Sequence, residues 1–515
     1  MSAVSQSVTA DAERAVLERV PTDLYIAGEW RAARAGGTLA VEDPATTRAL
    51  VQVADAHVDD ALAALTAAAE QQAAWAAHPP RERGEILRRA YEAIVAQTEE
   101  LALLMTLEMG KALAESRAEI GYAAEFFRWF SEEAVRIHGR YMVNTTGKGR
   151  ILTLRQPVGP CVFVTPWNFP LAMGTRKIAP AIAAGCTMVV KPAKQTPLSM
   201  LALAKILEQA GLPGGVLNVI TASSAGAVIA PLLADPRTRK LSFTGSTEVG
   251  RALIEQSAQQ ILRVSMELGG NAPFLVFEDA DLDAAVEGAL LAKMRNVGEA
   301  CTAANRFHVH ASLAEEFARR LAARMGALKV GRGTEPGVDV GPLIDEAQRN
   351  KVTEFVHDAV ARGARVLSGG ERLSGPAYPG YFFAPTVLAD VPHDAQLLSE
   401  EIFGPVAPIA TFTSERQALD AANRTQYGLV AYVYTRDLGR ALRVSEGIEA
   451  GMVGLNQGVV SNPAAPFGGV KQSGFGREGG FEGIGEYLET KYVAVAEPGH
   501  ECGQSVLGQG IPPVG

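Results

Sequence analysis

One cysteine stands among small and polar residues in the run Arg295-Asn296-Val297-Gly298-Glu299-Ala300-Cys301-Thr302-Ala303-Ala304-Asn305-Arg306. Free cysteine is among the most buried residue types, so a structural one would have Leu, Ile or Phe around it. This setting reads instead as a loop where a thiolate could meet a substrate. Upstream, Met266-Glu267-Leu268-Gly269-Gly270-Asn271 supplies the carboxylate of Glu267, a candidate general base. Pro166-Trp167-Asn168-Phe169-Pro170 supplies the Asn168 amide, which could steady an oxyanion. A sulfur nucleophile, a base and an oxyanion donor are the parts of a thiol-dependent oxidation of an aldehyde. Taken singly, each has a plainer reading. Cys301 could be inert and buried, Asn168 a turn residue ahead of a helix near Pro170, and Glu267 a solvated strand-end carboxylate.

These residues need elements to position them. Residues 1 to about 20 are small and polar and are expected to be disordered until docked. Tyr25-Ile26-Ala27-Gly28-Glu29-Trp30 reads as a short strand with a turn. From Asp59 to Met109 an alanine-rich pattern has helical period, and Pro79-Pro80 breaks it into two helices. A further helix is expected from Glu115 to Ile137. Tyr141–Val143 and Ile151–Leu154, joined by a Gly- and Asn-containing turn, read as a β-hairpin. After Pro160 the rhythm becomes strand, helix, strand, helix. The strands are Val162–Thr165, Thr187–Val190, Val216–Val219 and Lys240–Phe243. The helices are Leu171–Ala183, Pro197–Gln209, Ala225–Leu233 and Thr247–Gln256. That alternation predicts a parallel sheet covered by helices, with ligands beyond the C-terminal strand ends. Asn168, Lys191 and Gly245-Ser246 all fall there. A second alternating region runs from strand Pro273–Phe277 through helices Asp281–Arg295 and Leu313–Met325 and strands Arg306–Val309 and Ala450–Leu455. It predicts a second α/β domain carrying Cys301.

The chain has 515 residues, too many for one core, so two or three domains are expected. Lys and Arg number 48 against 57 Asp and Glu, a net charge of −9, which argues against nucleic-acid or anionic-membrane partners. Four cysteines, Cys161, Cys186, Cys301 and Cys502, form no CxxC pair and fit neither a zinc site nor a disulfide framework. Cys161 and Cys186 lie on or beside apolar strands and read as structural, and Cys502 as incidental. No metal is expected. No apolar run is long enough to span a membrane, and no signal peptide is apparent, so a cytoplasmic enzyme is the expectation.

The ordered landmarks Pro166-Trp167-Asn168-Phe169-Pro170, Lys191-Pro192-Ala193, Phe243-Thr244-Gly245-Ser246-Thr247, Glu267-Leu268-Gly269-Gly270, Gly298-Glu299-Ala300-Cys301, Glu400-Glu401-Ile402-Phe403-Gly404-Pro405 and Pro466-Phe467-Gly468-Gly469 resemble those of the aldehyde dehydrogenase superfamily. The resemblance covers nearly the whole chain. It implies an α/β fold with a Rossmann-type cofactor domain (1–137 and 156–266) and an α/β catalytic domain (267–462). It also implies an oligomerisation arm (138–155 and 478–497) and a mobile tail (498–515), in a homodimer or homotetramer.

On this resemblance Cys301 attacks the aldehyde, Asn168 and the Cys301 N–H hold the oxyanion, and Glu267 activates the water that hydrolyses the resulting thioester. One oxyanion donor is worth ~3 to 4 kcal/mol. Lys177 and Glu478 match supporting positions. The pyrophosphate of the cofactor is placed at Gly245-Ser246, where a helix N-terminus favours an anion. Trp167 lines the cleft, Lys191 reaches the adenosine ribose, Glu401 holds the nicotinamide ribose and Phe403 packs beside the ring. Thr165, Pro166, Ala193, Val249 and Leu268 are counted with them as cofactor-binding. Gly474-Phe475-Gly476-Arg477-Glu478-Gly479 fits GxGxxG but follows no strand, and is read as a decoy. Lys194 stands where NAD-preferring relatives often carry Glu. A cation there would attract a 2′-phosphate, so NADP is expected to be preferred, with NAD weaker.

Arg176, Arg295 and Ser461 further resemble the substrate-carboxylate residues of succinate-semialdehyde dehydrogenases. A guanidinium fork suits a carboxylate. The plainer alternative is that each arginine pairs with a structural acid. Ala303 replaces that subfamily's second cysteine, which excludes a local disulfide switch. The expected reaction is oxidation of succinate semialdehyde to succinate. Glutarate semialdehyde, a broader aldehyde range, and a catalytically silent binding protein remain as alternatives.

Overall fold

The computed structural model describes residues 8–496. The tail 498–515, with Cys502, and residues 1–7 lie outside the described residues, as does the last residue of the expected 478–497 segment.

The rhythm after Pro160 builds a sheet whose five central strands are parallel, in the order Arg263–Glu267, Lys240–Thr244, Cys161–Val164, Met188–Lys191, Leu217–Val219. Numbered along the chain this is 5-4-1-2-3, the doubly wound arrangement. Its order reverses between Cys161–Val164 and Lys240–Thr244, and the crevice beyond that point is where such folds take ligands. The strands read as continuous apolar runs because helices cover both faces. The helix Ala172–Ala184 is buried along its whole length, and Gly185, at φ 91, ends it in the left-handed conformation that glycine adopts without a Cβ clash.

A second sheet of seven strands follows, in the order Arg365–Ser368, Thr386–Ala389, Val406–Phe412, Ala304–His310, Ala272–Val276, Val430–Tyr434, Met452–Leu455. All are parallel to their neighbours except the Arg365–Ser368 edge. The chain passes from the first sheet to the second between Glu267 and Ala272. It later returns, and Gly474–Phe475 pairs antiparallel with Met266 and Glu267 at the first sheet's edge. Ser473 secures this junction. Its carbonyl accepts from the Leu268 N–H at 3.0 Å, its hydroxyl donates to the Gly269 carbonyl at 2.7 Å, and the same oxygen accepts from the Gly428 N–H at 2.9 Å.

A third sheet joins the hairpin strands Arg140–Val143 and Gly149–Pro157 to Leu488–Ala496, paired from Leu488↔Pro157 to Ala496↔Gly149.

Three expectations need correction. Residues 10–19 are ordered as the helix Ala10–Arg19, capped by Thr9 and docked through buried Val16 and a 2.7 Å ion pair from Glu13 to Arg332. The 59–109 stretch forms three helices, Val58–Ala77, Pro80–Ala96 and Thr98–Met109. The additional break at Gln97 carries no Gly or Pro, so packing rather than local sequence sets it. The helix expected to reach Ile137 runs Leu113–Glu133.

Candidate active site

At the reversal point the two flanking strand ends deliver Pro166, Trp167 and Asn168 on one side and Thr244, Gly245 and Ser246 on the other. They wall a cavity of about 230 Å³ that also holds Glu267, Leu268, Gly269, Cys301, Glu401 and Phe403. The cysteine, carboxylate and amide, far apart in sequence, thus share one cleft with seven of the twelve expected cofactor residues, Pro166, Trp167, Gly245, Ser246, Leu268, Glu401 and Phe403.

Cys301 is half-buried and follows a strained segment. Asn296 and Val297 lie at φ 55 and 60, and for a β-branched valine this conformation costs on the order of 1–3 kcal/mol. Buried hydrogen bonds hold the segment. Glu115 Oε1 accepts from the Asn296 N–H at 2.8 Å, and Asn296 Nδ2 donates to the carbonyls of Asn168 and Glu299 at 2.9 and 2.8 Å. Gly298 has φ 77, and a Cβ there would lie 2.3 Å from the Gly404 carbonyl oxygen. Burial pushes the Cys301 thiol up to about 12, with Arg176 opposing that rise. The Cys301 N–H makes no hydrogen bond among the described residues.

Asn168 is fixed from three sides. Its Nδ2 donates to the Glu299 carbonyl at 3.0 Å, which leaves a second amide hydrogen. Its own carbonyl accepts from Lys111 Nζ at 2.9 Å. Lys111 in turn pairs at 2.6 Å with buried Glu119, whose other oxygen accepts from the N–H groups of Leu171 and Ala172 at the start of the following helix. A carboxylate suits that helix N-terminus.

Glu267 ends its strand buried, with no hydrogen bond to either oxygen. Burial, and then the charge of Glu478, raises it well above the usual carboxylate range, against Arg176, Lys177 and Arg477. A Cβ at Gly468 would come within 2.9 Å of Glu267 Oε1, so the glycine leaves room for the carboxylate. Beside it, Glu478 bonds both Arg176 Nε and Lys177 Nζ. Burial alone would raise Glu478, but the two cations hold it below its ordinary value.

The three expected substrate residues divide. Arg295 Nη1 donates to Ser461 Oγ at 3.2 Å, and its guanidinium lies over the rings of Phe169 and Tyr122 at 4.8 and 5.8 Å. Among the described residues no carboxylate comes within 4.0 Å of it. Arg176 is buried, lies 4.0 Å over the Phe467 ring and pairs with the acid Glu478, with Nη2 left 3.9 Å from Glu267.

On the cofactor side, Ser246 caps the helix Thr247–Ala258, and a Cβ at Gly245 would fall 2.4 Å from the Phe243 ring. Glu401 Oε1 accepts from the Gly270 N–H at 3.0 Å, and burial pushes its carboxyl up to about 7. Trp167 and Phe403 meet edge to face at 5.3 Å. Burial lowers Lys191 to about 8, with the nearby charge of Lys194 adding to it and Asp55 opposing. Lys194 is exposed, makes no salt bridge among the described residues and lines a neighbouring cavity with Ser223. Thr165, Lys191, Ala193, Lys194 and Val249 lie outside the wall of the Cys301 cleft. Gly474-Phe475 forms an edge strand and Gly480–Gly485 a short helix, so the GxGxxG run opens no βαβ unit.

A bound dinucleotide fits these groups. The cleft opens at the reversal point, the Thr165 and Thr244 hydroxyls are buried without partners, and Lys191 and Lys194 face no acid closely enough to pair. Gln348 and Lys351, from the helix Glu346–Ala361, also wall the cleft and were not anticipated. Gln348 Nε2 donates to the Ile402 and Phe403 carbonyls at 3.1 and 2.6 Å, which fixes the loop that bears Glu401. Only the Asp345-to-Gln348 cap spacing signalled that helix start.

The aldehyde dehydrogenase family profile matches residues 30–493, and the chain belongs to the aldehyde dehydrogenase family. Within it, the chain is 60% identical to a succinate-semialdehyde dehydrogenase of Paenarthrobacter nicotinovorans, over 87% of this chain and 99% of that one. It is 49% identical to a glutarate-semialdehyde dehydrogenase of Pseudomonas putida, over 92% and 97%. A crystal structure of an E. coli NADP-dependent enzyme superposes with a TM-score of 0.91 at 48% identity, covering 95% of this chain and all (100%) of that one. Among the described residues no helix is long and apolar enough to cross a membrane.

Proposed function

We propose that this chain oxidises succinate semialdehyde to succinate, with NADP preferred and NAD a weaker cofactor. The observation that carries the substrate choice is Arg295, held by Ser461 and two aromatic faces with no carboxylate within 4.0 Å among the described residues. A partly buried guanidinium without a counter-ion is costly, and a substrate carboxylate removes that cost. The succinate- and glutarate-semialdehyde relatives support the same class.

Cys301 adds to the aldehyde carbon to give a thiohemiacetal. The second Asn168 amide hydrogen and the Cys301 N–H, which makes no hydrogen bond among the described residues, are assigned to donate to its oxyanion. The bound cofactor supplies the hydride acceptor. Glu267, next to Arg176 and Lys177, then takes a proton from the water that hydrolyses the thioester and releases the acid. Lys191 and Lys194 are assigned to the adenosine end, with Lys194 on the 2′-phosphate. Gly245, Ser246, Trp167, Glu401 and Phe403 hold the rest, beside Thr165, Pro166, Ala193, Val249 and Leu268. The free thiols of Cys161, Cys186 and Cys301 suit a reducing, cytoplasmic setting. Assembly into a homodimer or homotetramer is assigned to the three-stranded arm.

The test is a matrix of succinate semialdehyde, glutarate semialdehyde and butanal against NADP and NAD. Arg295→Ala should lower kcat/KM for both semialdehydes at least tenfold while sparing butanal. Lys194→Glu should swing the NADP/NAD ratio toward NAD. One methylene is worth only ~1–3 kcal/mol, so glutarate semialdehyde should also turn over. Equal losses on butanal and the semialdehydes would overturn the carboxylate assignment, and an unchanged cofactor ratio would overturn that of Lys194.

A further inference from the structure

Next to Arg295 the protein leaves two buried donors unmet. Tyr122, on the helix Leu113–Glu133, holds its ring beneath the Arg295 guanidinium and edge-on to Phe126 at 5.0 Å. Its hydroxyl is shut off from solvent and has no hydrogen-bond partner. Arg176 Nη2 is likewise shielded and unpartnered. Buried hydroxyls normally find an acceptor, because leaving one unmet costs about 1–3 kcal/mol. Burial raises the Tyr122 phenol, the charges of Arg176 and Arg295 oppose that rise, and Cys301 and Glu478 add to it, so it stands among the nucleophile, both guanidinium groups and the acid that pairs with Arg176. The neighbourhood therefore offers the Tyr122 hydroxyl and one Arg176 nitrogen, neither with a hydrogen-bond partner, beside the Arg295–Ser461 pair, with Glu267 3.9 Å from the Arg176 nitrogen. Helical spacing explains why Tyr122 points inward, since it shares a stripe with Phe126 and Phe130. It does not explain why this member of the stripe carries an oxygen.

We propose that Tyr122 is a specificity-determining residue whose hydroxyl donates a hydrogen bond to the carboxylate at the far end of the aldehyde substrate. This rests on the carboxylate reading of the site given above. The hydroxyl discriminates against neutral aldehydes, which cannot accept its proton and leave it buried and unmet. It discriminates equally against a phenylalanine in its own place, because the ring packing would be kept and only the donor lost.

Tyr122→Phe tests this with little change of shape. A hydrogen bond to a charged group predicts a loss of about tenfold in kcat/KM for succinate semialdehyde, expressed in KM with kcat nearly unchanged. Butanal, the same chain without the carboxylate, should react as before. Succinate, used as an inhibitor, should weaken by the same factor, which reads binding without turnover. Equal losses on both aldehydes, or no change in KM and succinate affinity, would overturn the proposal. Arg295→Ala is run in parallel. If it abolishes the preference for semialdehydes while Tyr122→Phe keeps it, only the role of Tyr122 falls. If Arg295→Ala also keeps the preference, the carboxylate reading itself falls.

Discussion

Glu267 and Glu478 are neighbouring buried carboxylates with opposite fates. Glu478 collects both cations of the helix Ala172–Ala184 and stays ionised, while Glu267 has no hydrogen bond and is driven toward the neutral form. A base must lose its proton before it can accept one from water, so hydrolysis should accelerate as pH rises through the Glu267 titration. Glu478→Gln removes a repelling charge and leaves Arg176 and Lys177 without an acid. Both effects favour ionised Glu267, so the rising limb of the hydrolysis rate should move to lower pH. Breaking the cluster should also lower stability by about 3–5 kcal/mol. Rapid-mixing kinetics of thioester breakdown across pH would check this, and a limb that stays put would remove Glu267 as the base. Of the residues in the cleft, Cys301, Asn168 and Glu267 were legible because polar, glycine-rich or proline-bounded runs set them apart from core patterns. Lys111, Glu119 and Tyr122 were not. Glu119 and Tyr122 sit in a helix whose apolar spacing reads as core, Lys111 sits in the short link before it, and their roles come from contacts with Asn168, Leu171 and Arg295, far along the chain.

Elements meet at the active site through a ring of hydrogen bonds. Lys293, on the last turn of the helix Leu282–Met294, donates to Asn305 Oδ1 and to the Gly404 carbonyl, both at 3.2 Å. Asn305 Nδ2 donates to the Gly270 carbonyl at 3.2 Å, and the Gly270 N–H reaches Glu401. The helix before the nucleophile, the crossover between sheets and the loop bearing Glu401 and Phe403 are thereby tied together. Lys293 is fully buried, which lowers its amine to about 7. Lys293→Met keeps the length and apolar stem but strands two acceptors. The KM for NADP should rise about tenfold and the melting temperature should fall. An unchanged cofactor KM would show that the ring does not govern the loop. The strand–helix alternation behind this framework was readable because buried parallel strands are β-branched and helices amphipathic. Boundaries shifted by one to four residues where caps and packing, not periodicity, fix the ends. The Ala10–Arg19 helix was missed because a docked arm owes its order to Arg332, far along the chain.

At the scale of the whole molecule, the hairpin exposes Tyr141, Met142 and Val143 at 68, 47 and 49% on an edge strand with a free backbone row. Such an edge invites pairing with another chain. The double variant Tyr141→Glu, Met142→Glu should sediment as a smaller species than the parent at the same concentration. An unaltered sedimentation coefficient would place self-association elsewhere. Both α/β lobes were visible in the sequence, but the return strand Gly474–Phe475 was not, since two residues give no period and their glycines mimic a nucleotide motif. That short strand matters to motion. Outbound at Glu267–Ala272 and homeward at Ser473–Phe475, the polypeptide is sewn across the same seam twice. The lobes cannot swing apart like jaws without tearing backbone hydrogen bonds on the strand that ends in Glu267. Any hinge between the lobes is therefore coupled to the backbone that carries Glu267.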